Sequence, residues 1–464
     1  MKIISFLLES ANKPKRSVSN YFKDIGFDGE KPRLGWVIPP LWGEIEKSFR
    51  EISPFLKNKE KFIFLGMGGS INGAKAVSSL DKYKRLLFLD NLDPENLKKI
   101  LKGINLRKTL VIPISKSGST LETQFLAKTL RRLFERKWRN HFLWLSDYSS
   151  FKKIDNLGWK GSFKFSIQVN GGEDIGGRFS SPHTLVFLLP LFIIFNQDIE
   201  RVKRIFFNYL SFLEKLREEA GKMAFLYRKE KDAFLNIKIK SFFRNSTTTW
   251  ITQLFQESLG SKDKLSVKTT VGENNNFLPI SFPLSIKEPI LYLMGLMYFL
   301  EVFIAVFSYY KRINFVSQPY VEEYKRKLKE LKEREERISP LQISFSKIPH
   351  IISSHLNKRI KFVEVVLYAY LEKRKVDYLR RALRKAFPSF IPFVFIGSDW
   401  NHHSYQASFL DKNTFYLIGI KKEYEHDFFE KKILSCLKKN IDLLRKISFA
   451  TYFTLQNKSL IFSF

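Results

Sequence analysis

The chain has 464 residues, 44% of them apolar and 15% aromatic, a composition that builds full cores in two or three domains and excludes a disordered tail. Its single cysteine, Cys436, excludes an internal disulfide and any cysteine-rich zinc site, which suits a reducing cytoplasm. The formal charge of +33 attracts polyanions and acidic head groups in general, but the basic residues are scattered along the chain and form no recognition motif, so no specific nucleic-acid partner is expected.

Met1 to Leu8 carries an apolar run too short for a secretory core, and Glu9 follows it. Lys61 to Leu65 reads as a strand ending in Gly66-Met67-Gly68-Gly69-Ser70, with a helix-like stretch from Gly73 to Leu80. Further strands are expected at Arg85 to Leu89, Thr109 to Ile114 and Phe142 to Leu145, with helical spacing from Thr123 to Trp138 between them. This βαβα order predicts a parallel, doubly wound sheet.

Helical runs follow at 198–230, 247–258 and 289–311, with short strands at Leu235 to Ile239 and Ile280 to Phe282. Pro289 to Tyr310 is long enough to span a bilayer, but Glu301 at its centre would cost roughly 2.5 kcal/mol or more there, so a buried helix is expected and no membrane span. A charged helix from Val321 to Arg337 and then Ser339-Pro340 read as a boundary. Beyond it, Phe362 to Tyr370, Pro392 to Ile396 and Thr414 to Ile420 are strands and Lys375 to Phe387 a basic amphipathic helix. The expected division is 1–180, 181–338 and 339–464.

Five polar islands stand out among these elements. The loops at Gly66 to Ser70 and Ser115 to Thr120 follow strands, where helix N-termini present free N–H groups to a phosphate. Gly69, Ser70, Ser115, Ser117, Ser119, Thr120 and Thr123 are the candidate contacts, and Lys116 adds charge. Arg178, after Gly176-Gly177, suits a rigid guanidinium aimed at an oxyanion. Glu257, between Phe255 and Leu259, sits in partly apolar surroundings that lift a carboxyl toward the range of a proton shuttle. With Gln318 and Lys325, these residues describe a site that holds a sugar phosphate and moves a proton on it.

In combination and order the islands resemble the glucose-6-phosphate isomerase family. Gly68-Gly69-Ser70 resembles its first phosphate loop, the run 115–123 its second, Gly176 to Ser180 its first signature, Gln256 to Gly260 the segment of its catalytic base and Gln318 to Lys325 its last signature. The resemblance implies two doubly wound sugar-isomerase subdomains, with Gly397 to Gln406 in a small C-terminal α/β appendage similar to the His-Ser-Thr-Gly-Gln segment of a transaldolase-fused subgroup. It further implies that Glu257 moves a proton between C2 and C1 of glucose 6-phosphate, that Arg178 stabilises a cis-enediolate, and that Lys325 with Gln318 assists ring opening. Gln253, one turn before Glu257, contacts substrate. Neither metal nor cofactor is implied, and a cytoplasmic homodimer is.

The departures are specific. Ser317 and Tyr320 replace the usual acid or amide and the glycine of the last signature, and no histidine lies from Ser261 to Ser317, where the family's ring-opening histidine is expected. His403 is the first candidate to replace it, with His402 and His183 behind. A dual phosphoglucose and phosphomannose isomerase and a non-catalytic sugar-phosphate binder are the alternative readings.

Overall fold

The computed structural model describes residues 2–11, 25–260, 265–272, 276–333, 339–355, 359–425 and 429–464. Three sheets, parallel throughout, carry the site. In the first, Lys61–Leu65 pairs with Leu86–Leu89 on one side and Thr109–Pro113 on the other. Bridges from Val111 to Phe142 and from Ile114 to Leu145 continue it to the parallel pair Leu143–Ser146 and Phe163–Ser166. The four expected strands are present, and Phe163–Ser166, half-buried along its length, is an added edge.

Strand alternation explains why this sheet is covered on both faces. Phe62, Phe64, Leu110 and Ile112 enter one core, while Ile63, Leu65, Val111 and Trp144 enter another. The first core also holds the second sheet, in which Ala233–Lys238 lies between Val267–Val271 and Leu278–Ser281. The second holds Tyr368, Trp400, Tyr416 and Leu444 from the C-terminal segment. That segment builds a third sheet in the order Leu341–Gln342, Ser459–Ser463, Thr414–Ile420, Phe362–Tyr368, Ile391–Ile396. Its helix Lys431–Leu455 packs on Leu121–Phe134 and Val321–Glu333. The C-terminal elements therefore roof one face of the first sheet.

The charged helix read from Val321 is described as far as Glu333, and residues 334–338 of the boundary expected there lie outside the described residues. Pro289–Lys311 is a single helix in which every residue from Ile290 to Tyr309 is buried in protein. At its centre neither carboxylate oxygen of Glu301 has a hydrogen-bond partner among the described residues, and burial pushes its pKa well above the ordinary carboxylate value.

Burial thus favours the neutral acid at Glu301 in the folded chain. Because its folded pKa is raised, the unfolded chain loses this proton first, and stability falls as pH rises above the ordinary carboxylate range. Glu301→Gln removes that linkage. The variant is expected to melt above the wild type at pH 8 and at the same temperature near pH 4 in thermal denaturation.

Candidate active site

A cavity of about 750 Å3 opens where the carboxyl ends of the first sheet's strands meet the helix Ser241–Leu259 and the C-terminal segment. Gly68, at φ +52°, turns the chain from strand Lys61–Leu65 into helix Gly69–Val77. Gly69 then lies directly against Gly177: a Cβ on Gly69 would stand 2.3 Å from the Gly177 carbonyl carbon. Only glycine permits this approach, which sets the first loop beside Arg178.

Arg178 and Glu257 form a buried ion pair at 3.0 Å. The Arg178 Nε donates to Ser258 Oγ at 2.8 Å, and another of its guanidinium nitrogens donates to the Phe315 carbonyl. Gln253 donates to Glu257 Oε2 at 2.8 Å and Gln318 to Oε1. Burial dominates the carboxyl's titration and holds its pKa above the ordinary value, the Arg178 charge and the two amides offsetting part of it. A carboxylate so placed has its position locked and its basicity raised.

Ser70, Ser117, Ser119 and Thr120 line the cavity with Lys116. Ser117 and Ser119 share a 3.0 Å hydrogen bond, and Lys153 donates to Ser119 at 2.8 Å. The Lys116 ammonium donates to the Ile175 carbonyl at 2.7 Å and stands 3.8 Å from Asp147. Asp147 also faces the cavity, and burial raises its carboxyl to about 6. Arg33 lies on the same wall, anchored to the Glu173 carbonyl at 2.6 Å.

Two of the expected phosphate contacts are displaced. Ser115 is fully buried and braces the loop through Thr120 Oγ1 at 3.0 Å without reaching the cavity wall. Thr123 is buried in helix Leu121–Phe134, one position past the residue whose side chain faces the cavity, which is Glu122.

Of the three histidine candidates, the structure brings His402 to the cavity and not His403. His403 is buried behind it, its Nδ1 against Ser404 Oγ at 2.6 Å and its ring edge-on to Phe395, and burial lowers its pKa to about 4. His183 is remote, buried between the Trp36 carbonyl and the Tyr209 hydroxyl at 2.8 Å from each. His402 pairs through Nε2 with Glu122 at 2.8 Å, and its carbonyl accepts from Gln253 at 2.8 Å. Burial alone would lower its pKa, but the Glu122 charge and hydrogen bond outweigh that and raise it above the ordinary histidine value. A signal for this was present in the sequence: aligned on Gln406, the five-residue His-Ser-Thr-Gly-Gln segment sets its histidine at 402.

Lys325 reaches the cavity from Val321–Glu333 and is half-exposed, paired with Glu322 at 2.7 Å. Glu257, Arg178, Gln253, Gln318, Lys325, Gly69 and the loop hydroxyls at 70, 117, 119 and 120 therefore share one cavity wall. Sequence reasoning missed Asp147, Arg33 and Lys153, which stand outside the islands, and Glu122, an acid within the 115–123 run where only hydroxyls and Lys116 were considered.

Comparison with known proteins bears on the same stretch. Residues 55–200 match the phosphoglucose isomerase family. A glucose-6-phosphate isomerase of Campylobacter jejuni is 32% identical over 265 residues, 53% of this chain and 62% of that protein. The probable glucose-6-phosphate isomerase of Methanococcus maripaludis is 32% identical over 184 residues, 37% of this chain and 40% of that protein. The matched stretch thus spans less than two thirds of either relative. In fold, the chain is similar to the crystal structure of a glucose-6-phosphate isomerase from Chlamydia trachomatis, with a TM-score of 0.53 at 17% identity over 76% of this chain and 86% of that one.

The Gly69 contact makes a direct prediction. Gly69→Ala forces the first loop and the Arg178 loop apart and is expected to cost about 1–3 kcal/mol of stability, as overpacking does elsewhere. Chemical denaturation of wild type and variant measures it.

Proposed function

We propose that this chain is an aldose-ketose isomerase that interconverts glucose 6-phosphate and fructose 6-phosphate. The observation that carries the reading is the Glu257 carboxylate, buried on the cavity wall, made more basic by burial and held by Arg178, Gln253 and Gln318. A pure binder has no use for such a base.

In this reading the phosphate is taken by the hydroxyls of Ser70, Ser117, Ser119 and Thr120, by the N-termini of Gly69–Val77 and Leu121–Phe134, and by the charges of Lys116 and Lys153. His402, kept protonated by Glu122, donates to the ring oxygen as the C1–O5 bond breaks and the O1 hydroxyl releases its proton to solvent water to leave the aldehyde, and Lys325 assists from Val321–Glu333. Glu257 then removes the C2 proton. The electron pair moves into a C1–C2 double bond, and the negative charge that develops on oxygen is stabilised by the nearby Arg178. Return of the proton from Glu257 to C1 completes the aldose-to-ketose conversion, with the hydroxyl proton at O2 moving to O1.

Glu257→Gln is expected to lower kcat by at least about 10²-fold, the usual contribution of a positioned acid-base group, while sugar-phosphate affinity stays within a fewfold. Turnover and solvent-deuterium incorporation at C1 and C2 are the readouts. Loss of affinity at unchanged kcat would sink the assignment.

The pH profile carries the second test. Activity should rise as Glu257 loses its proton, at a pH above the ordinary carboxylate range, and fall as His402 loses its own above the ordinary histidine range. Glu122→Gln removes the charge that holds the His402 proton and is expected to move the alkaline limb to lower pH while leaving the acid limb in place. An unmoved alkaline limb would remove His402 from the mechanism.

A further inference from the structure

A second cavity, of about 950 Å3, lies between the helices Leu121–Phe134 and Lys431–Leu455 and shares no lining residue with the candidate active site. Six cations converge on it: Lys128, Arg131, Arg132, Arg139, Lys432 and Lys439. No carboxylate lines it among the described residues, and Lys432 pairs with Glu430 at 2.9 Å.

Two of the cations are anchored. The Arg131 guanidinium lies 4.0 Å from the Trp138 ring centroid and donates to the Gly158 carbonyl at 2.6 Å. Arg139 lies 5.1 Å from the same ring. Stacking occupies the face of a guanidinium and leaves donors on its edge for acceptors. Burial, and then repulsion from Arg139 and Arg132, lower the Arg131 pKa, so the charges crowd one another in the unliganded chain. On the same wall Asn440 is 1% exposed, and its amide nitrogen donates to Thr129 Oγ1 at 3.1 Å, which braces Lys431–Leu455 against Leu121–Phe134.

We propose that this cavity binds a compact oligophosphate, either inorganic tripolyphosphate or the triphosphate arm of a nucleotide. The volume is within the range of small-ligand sites, and the cations converge on a concavity instead of tracking a groove. Single-stranded nucleic acid is disfavoured because it stacks its bases on free aromatic faces, whereas the face of Trp138 is already engaged by the two arginines.

Cys436, the only cysteine in the chain, lies on the cavity wall and reports occupancy. In calorimetry on the full chain at physiological salt, inorganic tripolyphosphate is expected to bind one per chain, a nucleoside triphosphate within a fewfold of it, and both to slow alkylation of Cys436. Lys128 and Lys439 hold no ion pair among the described residues and stand outside the catalytic machinery. Lys128→Ala/Lys439→Ala is therefore expected to weaken binding by about tenfold or more, from lost charge-assisted hydrogen bonds, with melting temperature and isomerase activity unchanged. Absent binding, equal affinity in the double variant, or binding without protection of Cys436 would each overturn the proposal. An affinity that exceeds that of tripolyphosphate and grows with oligonucleotide length would instead make the surface a nucleic-acid track.

Discussion

The Arg178–Glu257 pair, 3.0 Å long and withdrawn from water, is the contact around which the site is assembled. Removing two such charges from solvent costs several kcal/mol each, and their attraction offsets this only where the geometry is tight and the remaining polar atoms are satisfied. Here they are. Ser258 and the Phe315 carbonyl hold the guanidinium, while Gln253 and Gln318 hold the carboxylate. Gln253 is itself fixed by Asn72, whose amide donates to its carbonyl at 2.9 Å. The network ties the Arg178 loop, the helix Ser241–Leu259, the helix Gly69–Val77 and the Gln318 segment to one another, and each depends on the others for its polar partners.

The C-terminal segment belongs to this arrangement physically. Asp399 accepts from the Gly68 N–H at 3.0 Å and so supports the turn of the first loop from a position 331 residues away. Lys268, buried on the second sheet, is neutralised by Glu364 and Asp411 of the C-terminal segment, the latter at 3.0 Å. Trp400 donates to the second oxygen of Glu364 at 3.2 Å. With Trp400 fixed there, the next turn delivers His402 to Glu122.

Strands were legible wherever both faces of a short apolar run are buried, as at Lys61–Leu65 and Thr414–Ile420, because burial on both faces leaves a continuous hydrophobic signature. Val267–Val271 escaped because each of its faces buries a polar residue: Lys268 and Thr269, on opposite faces, are both below 4% exposed, and Lys268 is tolerated inside by carboxylates of the C-terminal segment. The helix around Glu301 was legible as buried, but that its carboxyl has no hydrogen-bond partner among the described residues emerged only from the packing. Ser115 and Thr123 carry the hydroxyls a phosphate loop needs, yet Ser115 is drawn inside the loop by its bond to Thr120, and helix phase turns Thr123 away from the cavity and presents Glu122 instead.

Local sequence determined the strand and loop order of the first sheet, the glycines that let Gly69 meet Gly177, and the placing of Gln253 and Glu257 on one helix face, since spacing within one element sets which side chains share a face. Tertiary structure decided the surroundings of the two histidines and so their charge states. His402 and His403 are adjacent in sequence, and only the packing of the C-terminal segment over the first sheet places one against Glu122, where its charge is favoured, and the other behind Phe395, where burial opposes charge. Proton affinity is set by the groups that surround an imidazole in space, and those groups come from positions 280 residues apart in the chain.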